Sequence, residues 1–343
     1  MINLEIKDDI LSIADDYETF FIDLYGVLFD GISFYKRALA ALEALKAKGK
    51  KIILLSNSTQ VSDEAKAGYS RKGMIQGLHY DEFITSGEFL YHIIKDCPEE
   101  FSRIMKKKCD SVKCIFMGNN GVFEKTHVRK VDIYEADFLY IGIPRASYGA
   151  VRIDDVWDCG GNKVNIEDVL ESDWNKLQDS QGRRGFEEFT ILLNNSLRLD
   201  KTLVVANPDI FALSSLNDSQ NCGAIITQGA IAAYYEKLGG KVVYFGKPYA
   251  GIFEYAHQIA NSKGPAVMVG DTPWTDISGA NANGIDSALV TSTGIANEFI
   301  RRMDSSFSIE ERFKALCEKI TPKMTKLSVE TWPTHFICRF SSS

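Results

Sequence analysis

The chain has 343 residues, 45% of them hydrophobic, which is enough for a large core and for more than one compact unit. Its 39 basic and 46 acidic residues leave a formal charge of −7, and no basic block marks a nucleic-acid footprint or an anionic-membrane surface. Apolar runs such as IILL at 52–55 are far too short to cross a bilayer, and the acidic, amphipathic opening MINLEIKDDILSIADD is wrong for a secretory or mitochondrial signal, so a cytoplasmic protein is expected.

The first strong element is FFIDLYGVLFDG, residues 20–31, an apolar run that delivers Asp23 to a tight turn at Gly26. Next, KRALAALEALKAKGK at 36–50 has Leu39, Leu42 and Leu45 on one helical face and Gly49 placed to end it. KIILLSN at 51–57 and EFITSG at 82–87 read as further strands. After a long central stretch come VVYFGKP at 242–248, AVMVGD at 266–271 and SALVTST at 287–293, with helical segments such as 250–262 between them. Apolar strands alternating with helices predict an α/β fold: a parallel sheet covered on both faces. In such sheets ligands gather at the carboxyl ends of the strands, and Asp23, Ser56, Lys247 and Asp271 all stand at or just past a predicted strand end.

The middle of the chain has strands of its own: KCIFMG, DFLYIGI and TLVVAN. Between about residues 145 and 188 it carries polar connections, including DCGGNK and DSQGRRG. The expected organisation is a domain made of residues 1–98 and 241–343, with a second α/β domain, 99–240, inserted into it. Seven cysteines (Cys97, Cys109, Cys114, Cys159, Cys222, Cys317 and Cys338) form no CxxC pair, and reduced thiols are expected. His79, His92, His127, His257 and His335 lie at no metal-ligand spacing, which points to core or surface roles.

DLYGV at 23–27, LLSNS at 54–58, GKP at 246–248 and GDTPWTDI at 270–277 occur in that order. The set resembles the four motifs of the haloacid dehalogenase-like (HAD) hydrolase superfamily, with a large insertion between the second and third. NPD at 207–209 and the approach NCGAIITQGAIAAYYEKLGGKVVYFGKP make the chain similar to the class IIA subgroup, which includes sugar- and nucleotide-phosphate phosphatases. The resemblance implies a Rossmann-like core under an inserted α/β cap, a small phosphate ester as substrate, and Mg2+ as cofactor. A homodimer through the cap is compatible with it.

The chemistry explains the residue types. A carboxylate that attacks phosphorus splits one hard step into two through an acyl phosphate, and the resemblance gives this role to Asp23. Two anions repel, so a hard cation with oxygen ligands must neutralise them. Asp23, Asp271 and the main-chain carbonyl of Tyr25 would bind it, with Asp276 orienting its waters or Lys247. Lys247 would hold the phosphoryl oxygens as a point charge, beside hydrogen bonds from Ser56 and the Asn57 N–H. Gly26 would let the backbone turn tightly next to the phosphate, Asp30 would shape the flap, and Asn207 and Asp209 would face the substrate from the cap. Each residue has a plainer alternative. Asp23, Asp271 and Asp276 could cap helices, Lys247 could be a solvated loop lysine, Ser56 and Asn57 could be turn residues, and NPD could be a structural turn.

Tyr25 departs from the pattern of most phosphatases of the superfamily, which have aspartate there as general acid and base. A positioned acid/base contributes about 10²–10⁴ in rate; as a catalytic residue Tyr25 could donate a hydrogen bond or a proton to the leaving group, but a phenol, which ordinarily titrates near ~10, is a poor base for water at neutral pH. Class IIA includes a subgroup with an aromatic residue at this position, which the chain resembles. Haloacid dehalogenases also carry a D-x-Y-G turn and use no metal, but they lack the GDxxxxD arrangement present here at 270–276. A metal-dependent phosphatase is therefore the leading expectation, with a metal-free dehalogenase-like hydrolase and a weakly catalytic phosphate-ester binding protein as alternatives.

Overall fold

Strands built from Ile, Val, Leu and Phe on both faces can leave neither face in water, so each face needs a layer of helices. The computed structural model describes residues 5–341 apart from 107, 109–111, 118–120, 124–125, 127, 142–149, 153–191, 214–222 and 326. The chain divides into two compact units.

The first unit comprises residues up to 56, residues 62–85, and the chain from 247 onward. Its strands, numbered along the chain, are β1 (Ile6–Lys7), β2 (Thr19–Ile22), β3 (Lys51–Ser56) and β4 (Glu82–Thr85). They are joined by β13 (Ala266–Gly270), β14 (Asp286–Val290) and β15 (His335–Ile337). The order across this seven-stranded sheet is β1-β15-β14-β13-β2-β3-β4, and every neighbouring pair is parallel. Ile22 pairs with Leu54 on one side and with Val269 on the other, so β2 lies between β3 and β13. Phe20, Ile22, Ile52, Leu54, Val267 and Val269 join one core cluster, and the alternate residues Phe21, Ile53, Leu55 and Met268 are equally buried. The helix Ala38–Ala47 covers the first of these faces with Ala38, Ala41, Leu42 and Leu45, the 3.6-residue stripe, while Leu39 is only partly buried.

From β2 the chain goes outward to β3 and β4 on one side, and from β13 outward to β14 and β15 on the other. The gap between β2 and β13 is therefore the switch point of the sheet, where loops diverge and leave a crevice at the carboxyl ends.

The second unit comprises residues 57–61 and 86–246. It contains β5 (Lys113–Met117), β6 (Arg129–Lys130), β7 (Phe138–Ile141), β8 (Ala150–Arg152), β9 (Thr202–Val205), β10 (Phe211–Leu213), β11 (Gly223–Ile226) and β12 (Lys241–Tyr244). A five-stranded parallel sheet runs β12-β9-β7-β5-β6, beside an antiparallel sheet β10-β11-β8. Phe101, Phe123, Phe138 and Tyr140 are buried and meet in edge-on or tilted contacts.

The units divide at 85–86 and 246–247, against the expected boundaries of 98–99 and 240–241. Residues 241–246 stay with the second unit because β12 pairs with β9 rather than with any strand of the seven-stranded sheet. The segment expected to carry polar connections, 145–188, lies outside the described residues except for Ala150–Arg152. Cys114 and Cys317 are buried and Cys97 and Cys338 partly buried, all as free thiols, while Cys109, Cys159 and Cys222 lie outside the described residues. Among the described residues no helix is long and apolar enough to cross a membrane.

Candidate active site

Asp23 directly follows β2 and Asp271 directly follows β13, so adjacent strands deliver both carboxylates to the switch point. The backbone N–H of Asp23 donates to the Val269 carbonyl at 2.9 Å, which locks the two strand ends together. Asp276 returns to the same place on the turn Pro273–Ile277, where its Oδ2 accepts the Thr272 N–H at 3.0 Å. Lys247 enters from the loop ahead of the helix Ala250–Ala260. Its Nζ donates to Asp23 Oδ1 at 2.6 Å and to Asp276 Oδ1 at 2.7 Å.

All four side chains are buried, with Asp23 8% exposed, Lys247 and Asp271 2%, and Asp276 1%. Burial works against the charge of Lys247, but the carboxylates of Asp23 and Asp276 outweigh it and hold the ammonium protonated above the ordinary lysine range. Asp271 is pushed well above the ordinary carboxylate range, first by burial and then by the negative charges of Asp23 and Asp276. The Ile295 N–H, which donates to Asp271 Oδ2 at 2.6 Å, opposes that shift, as does Lys247.

Oxygen atoms of Asp23, Asp271 and Asp276 lie within 4.8 Å of one another. Among the described residues these three carboxylates gather beside the ammonium of Lys247, and the repulsion between them is eased by a further cation. Carboxylate oxygens are the donors that hard divalent ions prefer, so this cluster can hold a metal ion. Among the described residues no other such group of His, Cys, Asp or Glu occurs.

Asp271 sits in a sleeve of backbone. A Cβ on Gly26, at φ +81°, would stand 2.1 Å from Asp271 Oδ2, and one on Gly294, at φ +64°, would stand 1.9 Å from it. Thr293 Oγ1 donates to the Gly26 carbonyl at 2.6 Å and ties the two glycine turns together. Asp271, Thr272, Thr293 and Gly294 thus form one assembly with the turn after Asp23.

The remaining expected residues divide between the units. Ser56 ends β3, is buried, and pairs with Thr85 of β4. Tyr25 is 47% exposed, with its ring edge-on to Phe29 at 5.5 Å. Asp30 shapes its own turn, its Oδ1 accepting the N–H groups of Ile32 at 2.8 Å and Ser33 at 2.7 Å. Asn57, Asn207 and Asp209 belong to the second unit and form a cluster there. Asn57 Nδ2 donates to Asp209 Oδ1 at 2.8 Å, and Asn207 Oδ1 accepts the Asp209 N–H at 2.9 Å. The Asp209 carbonyl accepts from Thr227 Oγ1 and from the Gly229 N–H.

None of the described histidines joins the cluster. His79 is buried beside Glu43, His92 pairs with Asp96, His257 lies edge-on to Phe21, and His335 meets Tyr17. His127 lies outside the described residues. Sequence reasoning missed Thr272 and the Thr293–Gly294–Ile295 turn. The available signal was TSTG between the strand SALV and the helix Gly294–Arg302, where free N–H groups at a helix start suit a carboxylate.

Two family sequence models match the chain: a haloacid dehalogenase-like hydrolase over residues 20–127 and a HAD-hydrolase-like model over residues 244–304. No curated protein sequence matches significantly. Among solved structures, a "possible sugar phosphatase" of the HAD superfamily from Cytophaga hutchinsonii superposes with a TM-score of 0.62 at 21% identity, covering 98% of each chain. A glycerol phosphate phosphatase from Mycobacterium tuberculosis, solved with magnesium, gives a TM-score of 0.58 at 18% identity over 98% of this chain and 78% of that one. A p-nitrophenyl phosphatase from Archaeoglobus fulgidus gives 0.56 at 21% identity over 87% and 93%. The two matched stretches contain Asp23, Ser56, Lys247, Asp271 and Asp276, so the parts of the chain that build this cluster match haloacid dehalogenase-like hydrolase models, and the chain shares its fold with these structures.

Proposed function

We propose that the chain is a Mg2+-dependent phosphatase of small phosphate esters that works through an aspartyl phosphate on Asp23. The observation that carries this reading is the buried bridge from Lys247 to Asp23 and Asp276, with Asp271 alongside. Clustered carboxylate oxygens suit a hard divalent ion, and an ammonium held among them can neutralise the phosphoryl oxygens of a bound ester. The similar structures, described as a possible sugar phosphatase, a glycerol phosphate phosphatase and a p-nitrophenyl phosphatase, support the same class.

A carboxylate oxygen of Asp23 attacks phosphorus, the ester oxygen leaves with its bonding electrons, and the phosphoryl group remains as an acyl phosphate. Water then attacks phosphorus, the P–O bond to Asp23 breaks with its electrons returning to the carboxylate, and inorganic phosphate leaves, with the protons of the water shared between it and solvent. Lys247 orients Asp23 and neutralises phosphoryl oxygens, and Asp276 fixes Lys247 in place. Ser56 and the Asn57 N–H donate to the phosphoryl oxygens. Asp23, Asp271 and the Tyr25 carbonyl would hold the metal, with Asp276 in support, and Mg2+ would supply positive charge that offsets the repulsion between carboxylate and phosphate. The inserted domain, expected over residues 99–240, corresponds in this reading to the class IIA cap, and Asn207 and Asp209 are its proposed substrate-binding residues.

Tyr25 replaces the usual carboxylate, so leaving groups that depart without a proton react fastest. Aryl phosphates turn over readily and alkyl phosphates slowly. The test is phosphate release from a panel of sugar, nucleotide and aryl phosphates with Mg2+ and with chelator. Release that requires Mg2+ is expected. Halide release from 2-haloacids without metal dependence would replace the reading with a dehalogenase, and ester binding without release would reduce it to a binding protein.

A further inference from the structure

Tyr25 stands two residues beyond Asp23, and the next residue, Gly26, approaches Asp271 so closely that a Cβ would meet its carboxylate at 2.1 Å. Tyr25 therefore lies between Asp23 and the glycine that abuts Asp271, yet its own side chain is 47% exposed.

The exposed ring is fixed in place. It meets Phe29 edge-on, with centroids 5.5 Å apart and planes at 85°. Phe29 is 2% exposed and is itself braced by Phe34 at 5.3 Å and by Tyr69 at 5.4 Å. Lys72 Nζ lies 5.5 Å from the Phe29 centroid and donates to the Ile32 carbonyl at 2.6 Å, which pins the loop after the turn. Backbone bonds of 2.9 Å from Gly26 to the Phe29 carbonyl and from Phe29 to the Leu24 carbonyl close the turn itself. Among the described residues no hydrogen bond engages the Tyr25 hydroxyl, so the ring is held by aromatic contact alone. A large ring carried by a braced turn loses little freedom when a second ring lies against it, the condition under which stacking adds to affinity.

We infer that Tyr25 is the specificity-determining residue for the leaving group: its ring stacks against planar aromatic groups esterified to the phosphate. This rests on the phosphatase reading and adds to it. The missing acid sets how fast an ester of given acidity reacts, whereas the ring sets which esters bind.

The two effects separate with phenyl and 2-naphthyl phosphate, whose leaving groups are of similar acidity but differ in ring area. The wild-type KM is expected to be about threefold to tenfold lower for the naphthyl ester, the range of one aromatic contact. Tyr25→Phe keeps that ratio and Tyr25→Leu brings it to about one. A second arm measures calorimetric binding of phenyl- and 2-naphthyl-phosphonate to Asp23→Asn protein with Mg2+, alone and combined with Tyr25→Leu. The same tightening, lost with Tyr25→Leu, supports the inference even where no ester is hydrolysed, an outcome that would overturn the phosphatase reading alone. A wild-type ratio near one, a ratio that survives Tyr25→Leu, or failure of both phosphonates to bind overturns the inference.

Discussion

Replacing Lys247 by methionine keeps much of the side-chain volume and removes its ammonium from the carboxylate cluster. The wild-type contacts are 2.6 Å to Asp23 and 2.7 Å to Asp276, all in a buried setting. Breaking a buried ion pair by deleting one partner costs about 3–5 kcal/mol, because the remaining charge has neither water nor counterion. For a unit of 150–250 residues each kcal/mol shifts the melting point by about 2–4 °C, so a fall of roughly 6–20 °C is expected in chelator. Mg2+ at about 100 times its Kd returns roughly 2.7 kcal/mol to any protein that binds it only when folded. The variant, with more uncompensated charge, gains more from the ion than the wild type does. Thermal melts of both proteins, in chelator and over a Mg2+ titration, read both quantities. A fall below about 2 °C in chelator would show that the lysine does not balance the cluster. An equal Mg2+ gain in both proteins would show that the ion and the ammonium do not share it.

Gly294→Ala places a Cβ 1.9 Å from Asp271 Oδ2 at φ +64°, so the carboxylate must move. Half-saturation for Mg2+ by calorimetry should rise at least about tenfold, for a backbone cost of only about 1–2 kcal/mol. Asp23→Asn should abolish phosphate release under every condition, measured over a long incubation with p-nitrophenyl phosphate. Tyr25→Asp should raise kcat on alkyl phosphates, with about 10²-fold as the lower end for a positioned acid, and unchanged or lower activity would count against the argument. His335 is held below the ordinary imidazole range, chiefly by burial and against the pull of Asp286, with Tyr17 Oη 2.8 Å from its Nε2. Its unfolded form takes up a proton first, so its stabilising contribution is complete above about pH 6.5 and is lost as pH falls through the lower folded value. Chemical denaturation between pH 7.5 and 5 should show this fall, and His335→Asn should flatten it.

The parts of the site that are local in the chain were legible before the fold. Asp23 and Asp271 each end a short apolar run rich in β-branched and aromatic residues, and among strand–helix alternations such a run fits an inner strand of a parallel sheet. That they leave neighbouring strands is a matter of strand order, and order is fixed by long-range pairing that no local pattern carries. The four-motif resemblance supplied it instead. VVYFGKP shows the limit. As a sequence it reads like the other strands, and it was expected in the same domain, yet β12 pairs with β9 and leaves Lys247 to arrive from a loop. The support of Asp271 by Gly294 and Ile295 was also invisible, because it rests on backbone N–H direction and on absent atoms rather than on residue chemistry. Asn207 and Asp209 read as a polar motif, but only coordinates reveal how much of that polarity is spent on their own turn and on Asn57.

Two hydrogens, one on each α-carbon where any other residue would carry a branch, leave the room that Asp271 Oδ2 occupies. The position of a carboxylate essential to the proposed chemistry is thus guarded by Gly26 and Gly294, which have no reactive group. Damage to this enzyme need not fall on a charged residue. One added methyl at either place would push the carboxylate aside while every group that could do chemistry is still present.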